Sequence, residues 1–252
     1  MSKVMDFTGK TIVLAGAGGI GSVTAQILAS LGARMVLLDV LEDKLKEVID
    51  SLQGEGHTYY VCDFSAVDTI EPLLAKVIKE QGAVDGYVHT TGVGSVRPLK
   101  MSKYDFMLNV MNINFFSFVE VVRCLSKKGA YNPGMNIVGI SAVGAYIGNS
   151  TKTAYCASKA AMNSAVRCMA KELAPKGIRL NTVAPGDTDT PMSRQAAEYR
   201  DGTDELRFNQ MRQYLGQCQP SDIADGIVFL LSDMSQMITG TCLPVDGGKL
   251  SS

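Results

Sequence analysis

One feature near the start constrains this chain most: an apolar run ends in glycines, a helical pattern follows, and a second apolar run ends in an acid. Thr11–Ala15 (TIVLA) is short, apolar and rich in β-branched residues. Gly16-Ala17-Gly18-Gly19-Ile20-Gly21 comes directly after it. Ile20, Val23, Ile27, Leu28 and Leu31 then recur at helical spacing until Gly32, which stops the helix. Arg34–Asp39 (RMVLLD) predicts a second strand. A strand, a helix and another strand in roughly thirty residues make a parallel crossover unit.

The same alternation continues. A charged helix is predicted around 41–52, strands at Thr58–Cys62 and Val84–His89, and a helix near 65–81 between them. A long helical stretch over 102–128 precedes a strand at Asn136–Ile140. A helix over 153–174 precedes a sixth strand at Ile178–Val183. Short buried strands separated by helices imply an α/β fold, with a parallel sheet covered on both faces and doubly wound. No repeat, low-complexity tract or linker divides the 252 residues, so one domain over 1–252 is expected. The segment Met192–Gln219 is polar and weakly patterned. Lying after the sixth strand, the region 190–219 is expected to cover the carboxyl ends of the strands, where such sheets bind ligands.

Composition narrows the partners. A hydrophobic share of 46% supports a large core. A net charge of −1 gives no basis for a nucleic-acid or anionic-membrane partner. Six cysteines lie scattered without a CxxC pair, and the two histidines are far apart, so no metal site is expected. They read as buried thiols in a reducing compartment. The N-terminus lacks the apolar core of a signal peptide, and no apolar run approaches the ~20 residues of a membrane span. A soluble, cytoplasmic protein is expected.

The glycine loop carries a chemical reading. A GxGxxG between a strand and a helix lets the backbone approach a pyrophosphate, whose charge meets the free N–H groups of the helix. Asp39 ends the next strand, where a carboxylate can accept bonds from ribose hydroxyls and repel a 2′-phosphate. Val40 and Leu41 follow it, with no basic residue to welcome that phosphate, so NAD is expected in preference to NADP. Tyr155-Cys156-Ala157-Ser158-Lys159 puts Tyr and Lys at i and i+4 on one helix face. An ammonium there would lower the tyrosine pKa, so that Tyr155 could exchange a proton with an alcohol or ketone.

These motifs, with Ala160-Ala161, Ile178-Arg179-Leu180-Asn181, Pro185-Gly186, Thr190, Ile238-Thr239-Gly240 and Val245-Asp246-Gly247-Gly248, resemble the short-chain dehydrogenase/reductase family over nearly the whole chain. The resemblance implies a Rossmann-like domain with about seven parallel strands, commonly a homotetramer, with a homodimer as the other possibility. It also implies hydride transfer between NAD(P) and a hydroxyl or carbonyl carbon. By position, it implies cofactor contacts from Gly16, Gly18, Gly19, Ile20, Gly21 and Asp39, with Asp63 and Phe64 at the adenine. Thr90, Thr91 and Gly92 would line the cofactor, as would Tyr155 and Lys159. Pro185, Gly186, Thr188 and Thr190 would hold the nicotinamide end. Asn114 would complete a proton relay through Lys159 and water, with Asn112 as the runner-up.

Three positions depart from the family pattern. The glycine loop is one residue short and has Ala15 in place of the usual threonine. His89-Thr90-Thr91-Gly92 replaces the usual Asn-Asn-Ala-Gly, and the place of His89 at a strand end suggests a structural hydrogen-bonding role. Finally, Ala142 stands where the family has the serine that polarises the substrate oxygen, with Ser141 one place earlier. Either a local backbone adjustment lets Ser141 serve, or that hydroxyl is missing. The expected function is an NAD-dependent secondary alcohol dehydrogenase or ketone reductase acting on a small molecule. The alternative is a dinucleotide-binding sensor or pseudoenzyme with little turnover.

Overall fold

A computed structural model describes residues 5–198 and 213–251. Seven strands form one parallel sheet: β1 (Thr11–Ala15), β2 (Arg34–Asp39), β3 (Thr58–Val61), β4 (Val84–His89), β5 (Tyr131–Ile140), β6 (Arg179–Pro185) and β7 (Cys242–Val245). Their order across the sheet is β3-β2-β1-β4-β5-β6-β7. The chain therefore winds outward from β1 in one direction and, after β3, returns to lay β4 on the other side of β1. Such a reversal opens a crevice at the carboxyl ends of the strands.

Alternation along each strand divides the core. Ile12 and Leu14 of β1 face a layer that contains Leu28, Leu37, Val88, Val138 and Ile227. Val13 and Ala15 face the other layer, with Tyr87, Phe118, Ile137, Met162 and Val166. The first layer is closed by α1 (Gly19–Ser30), α2 (Glu42–Asp50) and α8 (Pro220–Leu231). The second is closed by α3 (Ile70–Gln81), α5 (Ser117–Leu125) and α6 (Thr153–Leu173). Both faces are covered, which is why the strands read as apolar runs rather than as alternating ones.

The expected elements are present, with three differences. Strand β5 begins at Tyr131, pairing with Val84, and its register shifts before Gly86 meets Asn136. Pro133 and Gly134 lie in that irregular stretch and interrupt the strand pattern in the sequence. The helix expected over 102–128 is divided into α4 (Tyr104–Met111), a π-turn over Asn112–Phe116, and α5. The run Tyr104–Leu125 is long and apolar enough to cross a membrane by length and composition. Val110, Phe118, Val121, Val122 and Leu125 are nevertheless buried against the protein, as in a core helix. Strand β7 adds a seventh to the six strands read from apolar runs; Pro244 sits within its four residues and is tolerated on this sheet edge.

Candidate active site

The glycine loop crosses the switch point between β1 and β4. Gly16 has φ +95°, and a methyl there would lie 2.6 Å from the Thr91 amide nitrogen. A methyl on Gly21 would lie 1.8 Å from the Gly16 carbonyl oxygen, so the turn closes only on glycine. Thr90 ties the loop to β4: its amide donates to Ala15 O, and its hydroxyl reaches Ala15 O and Gly16 O at 2.8 and 2.7 Å. Gly18 caps α1 and faces open space, with no acidic residue in the first turn of the helix. The free N–H groups and positive end of α1 therefore face a cradle that a side chain would fill, and this fits a pyrophosphate. Ile20 is the second residue of α1 and packs against the core. Across the cradle, a methyl on Gly19 would sit 3.2 Å from the Thr190 methyl, so the two loops approach closely.

Asp39 lies beside this loop. One carboxylate oxygen accepts the Ala17 amide at 2.7 Å, and the other accepts the Leu41 amide at 3.0 Å. The side chain thus fixes the glycine loop as well as ending β2. Asp63 accepts from the Ser65 amide and hydroxyl. The Phe64 ring is buried, its centroid 5.9 Å from that of His89 in an edge contact. Thr91 Oγ1 is buried without a hydrogen-bond partner among the described residues, a polar atom at the cleft that a ligand could satisfy.

Helix α6 brings Tyr155 and Lys159 to the carboxyl end of β5. The buried Lys159 ammonium lies 5.9 Å from the centre of the Tyr155 ring and donates to Ile140 O at 2.7 Å. Burial pulls the Lys159 pKa down to about 8. Burial, with a smaller contribution from the neighbouring Cys156 thiol, pushes Tyr155 up to about 12. Desolvation of the phenolate sets the direction of the Tyr155 shift, opposite to the lowering expected from the Tyr–Lys spacing.

Asn114 sits in the π-turn and is fully buried. Its Oδ1 accepts the Val93 amide at 2.8 Å, while Nδ2 donates to Val93 O and to Ser158 Oγ. A methyl on Gly92 would lie 3.3 Å from Asn114 Oδ1 and 3.4 Å from Lys159 Nζ, so Gly92 is where the two meet. Ser158 was not singled out in the sequence, although it stands inside the Tyr–Lys motif; its hydroxyl also donates to Tyr155 O. Asn112 instead donates toward Ser65 O, away from Lys159. π-turns often mark functional positions in helices, and this one carries Asn114 inward.

The position after β5 is resolved. Ser141 N donates to Val183 O at 2.7 Å, so the β5–β6 ladder continues without a bulge. The Ser141 hydroxyl is buried and directed at the Lys159 carbonyl at 3.5 Å. No backbone adjustment turns it outward, and Ala142 follows in extended conformation. His89 is fully buried, with Nδ1 2.5 Å from the Tyr87 hydroxyl and Phe118 packed on its ring. Burial drives its pKa well below the ordinary value, so it is a neutral core residue.

Beyond Pro185, the last residue of β6, Gly186 N donates to Val245 O, and Thr188 Oγ1 bonds Gly186 O at 3.2 Å. Thr190 and Ser193 exchange side-chain and backbone bonds to open α7 (Pro191–Glu198). Met192 reaches across the cleft, its sulfur 3.3 Å from where a Gly94 methyl would stand. Of the covering segment expected over 190–219, residues 199–212 lie outside the described residues.

A family model described as Enoyl-(Acyl carrier protein) reductase matches residues 14–249. The chain is 32% identical over 243 residues to 7alpha-hydroxysteroid dehydrogenase of Escherichia coli K12, covering 95% of this chain and 94% of that one. It is 31% identical over 248 residues to a 3-oxoacyl-(acyl-carrier-protein) reductase of Thermotoga maritima, covering 97% and 99%. Among solved structures, a short-chain dehydrogenase/reductase from Brucella melitensis superposes with TM-score 0.88 at 29% identity, covering 99% of each chain. A 7 alpha-hydroxysteroid dehydrogenase complexed with NADH and 7-oxo glycochenodeoxycholic acid superposes with TM-score 0.87 at 29% identity, covering 97% and 95%. Matched by the family model over 14–249 and by relatives covered almost end to end, the chain belongs to the short-chain dehydrogenase/reductase family of oxidoreductases.

Proposed function

We propose that this protein is an NAD-dependent oxidoreductase that interconverts a secondary alcohol and a ketone, with Tyr155 as its acid–base group. The observation that carries the reading is the convergence at Gly92 of Asn114, from the π-turn, and Lys159, from the helix that bears Tyr155. A nicotinamide held between the glycine loop and Thr188–Thr190 would supply the hydride donor or acceptor. The Tyr155 hydroxyl would pass its proton to the substrate oxygen in reduction and take it back in oxidation. Lys159, its ammonium fixed by Ile140 O, would bind the cofactor ribose and feed the proton relay. The Asn114 side chain is consumed by Val93 and Ser158, so its part is to position α6 against the loop after β4. We assign Ser141 no catalytic role, because its hydroxyl serves the helix-packed side of the strand.

Asp39 supports NAD over NADP: a carboxylate at the end of β2, followed by exposed Val40 and Leu41, offers a 2′-phosphate repulsion and no cation. Substrates of the kinds named for the relatives, a hydroxysteroid or a 3-oxoacyl thioester, set the first panel to try. The exposed Leu99, Met101, Tyr104 and Phe116 at and beside α4 fit assembly into a homotetramer or homodimer. One observation favours a second reading, a dinucleotide-binding protein with little turnover: Ala142 leaves the substrate oxygen without the usual hydroxyl donor. Fluorescence titration with NADH and NADPH, followed by the substrate panel, separates the two. NADH binding with turnover supports the enzyme; NADH binding without turnover on any substrate supports the sensor, and tighter NADPH binding contradicts the Asp39 reading.

A further inference from the structure

The loop that follows Pro185 is held from behind by a lysine near the C-terminus. The Lys249 ammonium donates to Asp187 Oδ2 at 2.6 Å, and its side chain is only 4% exposed. Asp187 is the residue directly after Pro185-Gly186, at the head of the loop that carries Thr188 and Thr190. The covering segment ends on the same point. Gln213, itself buried, accepts the Asp187 amide at 2.9 Å and donates to Asp187 O and Gly216 O. Cys218 N donates to the same Asp187 carbonyl, and Asp189 N donates to Cys218 O.

The C-terminal turn is built to present this lysine. Asp246 accepts the amides of Gly248 and Leu250 through its two carboxylate oxygens, which curls the chain around Lys249. Gly247 and Gly248 have φ +57° and +92°, and methyls there would strike Gln213 Cγ and the Tyr214 ring at 2.6 and 2.5 Å. A methyl on Gly186 would lie 2.5 Å from Gln213 Oε1. Three segments thus meet with no room for a Cβ at these glycines: the loop after β6, the end of the covering segment, and the C-terminal turn. The burial is one-sided: the carboxylate of Asp187 keeps contact with solvent, whereas removing its charge would take this carboxylate partner from a buried ammonium.

We propose that Lys249 is a positioning residue for the cofactor loop: through Asp187 it sets the loop of Gly186–Thr190 in the place from which Thr188 and Thr190 bind the nicotinamide end. This rests on the reading of that loop as the nicotinamide site given above. Lys249 touches neither cofactor nor substrate in this scheme, and acts on the loop through Asp187.

The test measures NADH dissociation constants and steady-state kinetics for wild type, Lys249→Met, Asp187→Asn and the double variant, with thermal melts to confirm folding. Each single variant should weaken NADH binding roughly tenfold, and the double variant should weaken it no further than either single one, as expected for one shared interaction. The loss should fall on the cofactor's KM far more than on kcat or on the substrate's KM. NADH binding unchanged in folded Lys249→Met would overturn the proposal, as would single-variant losses that multiply in the double variant. If Lys249→Met does not fold, Asp187→Asn alone decides, since its more exposed carboxyl becomes a neutral amide of the same shape. Wild type that binds no NADH would overturn the loop's assignment itself, an outcome distinct from wild type that binds and variants that match it.

Discussion

The buried ammonium of Lys159 donates to the carbonyl of Ile140 across 2.7 Å, joining α6 to the last residue of β5. This bond settles the direction of the lysine and ties its charge to the cleft. It also exacts a cost in stability, since desolvation brings the Lys159 pKa from 10.5 to about 8. The sign follows from proton counting. Between pH 8 and 10.5 the unfolded chain binds a proton at this lysine that the folded chain lacks, so this group's contribution to stability rises with pH across that window. Relative to Lys159→Met, wild type should therefore gain up to about 3 kcal/mol between pH 7 and pH 10. Urea unfolding of both proteins at the two pH values checks this, and parallel stability curves would contradict it.

The same lysine predicts a pH profile. An ammonium needed to hold the cofactor and feed protons toward Tyr155 is lost as pH rises through about 8. Ketone reduction should be level below neutral pH and decline above that point. A kcat/KM profile that stays flat to pH 10 would remove Lys159 from the proton path.

Two glycines of the same loop should behave in opposite ways. A methyl at Gly21 meets the Gly16 carbonyl oxygen, whereas a methyl at Gly18 meets nothing within 4 Å. Gly18→Ala should fold with an unchanged melting temperature yet lose NADH affinity by tenfold or more, because the methyl occupies the cradle at the N-terminus of α1. Gly21→Ala should lower the melting temperature itself. Calorimetry beside an NADH titration reads both effects, and equal behaviour of the two variants would dismiss the cradle.

Ala142 offers a gain of function. A serine there would restore a hydroxyl donor at the position after β5 where the strand runs on without a bulge. Ala142→Ser should raise kcat by about tenfold to a hundredfold, in line with the value of one such donor in a transition state. A kcat that does not change would mean the site polarises its substrate by other means.

Much of this was legible in the sequence. Each apolar run from β1 to β6 corresponds to a strand, because a sheet covered on both faces leaves strands apolar throughout. The hidden features are those that depend on geometry rather than pattern. Strand β7 contains Pro244 and gives no clear apolar run, and the early part of β5 is disguised by Pro133 and Gly134. The π-turn at Asn114 lies inside an unbroken helical pattern, since one extra residue per turn does not alter which residue types appear. The direction of Ser141 could not be read either, because it depends on whether the β5–β6 ladder bulges. Lys249 and Asp187, 62 residues apart, carry no motif that links them.

The cofactor choice rests on Asp39, which serves two ends: it holds the Ala17 amide and presents a carboxylate beside the loop. Asp39→Asn keeps an oxygen for Ala17, gives up the exposed bond from the Leu41 amide, and removes the charge that repels a 2′-phosphate. The NADH-to-NADPH affinity ratio should fall by about tenfold or more, with the melting temperature little changed. An unaltered ratio would show that selectivity lies elsewhere.

The most direct measurement is turnover by Tyr155→Phe, on whichever alcohol or ketone the wild-type protein accepts, alongside its NADH affinity. The account predicts NADH binding close to wild type and a kcat lower by a factor on the order of 10² or more, since the phenol hydroxyl is the only atom removed. Turnover equal to wild type would contradict it.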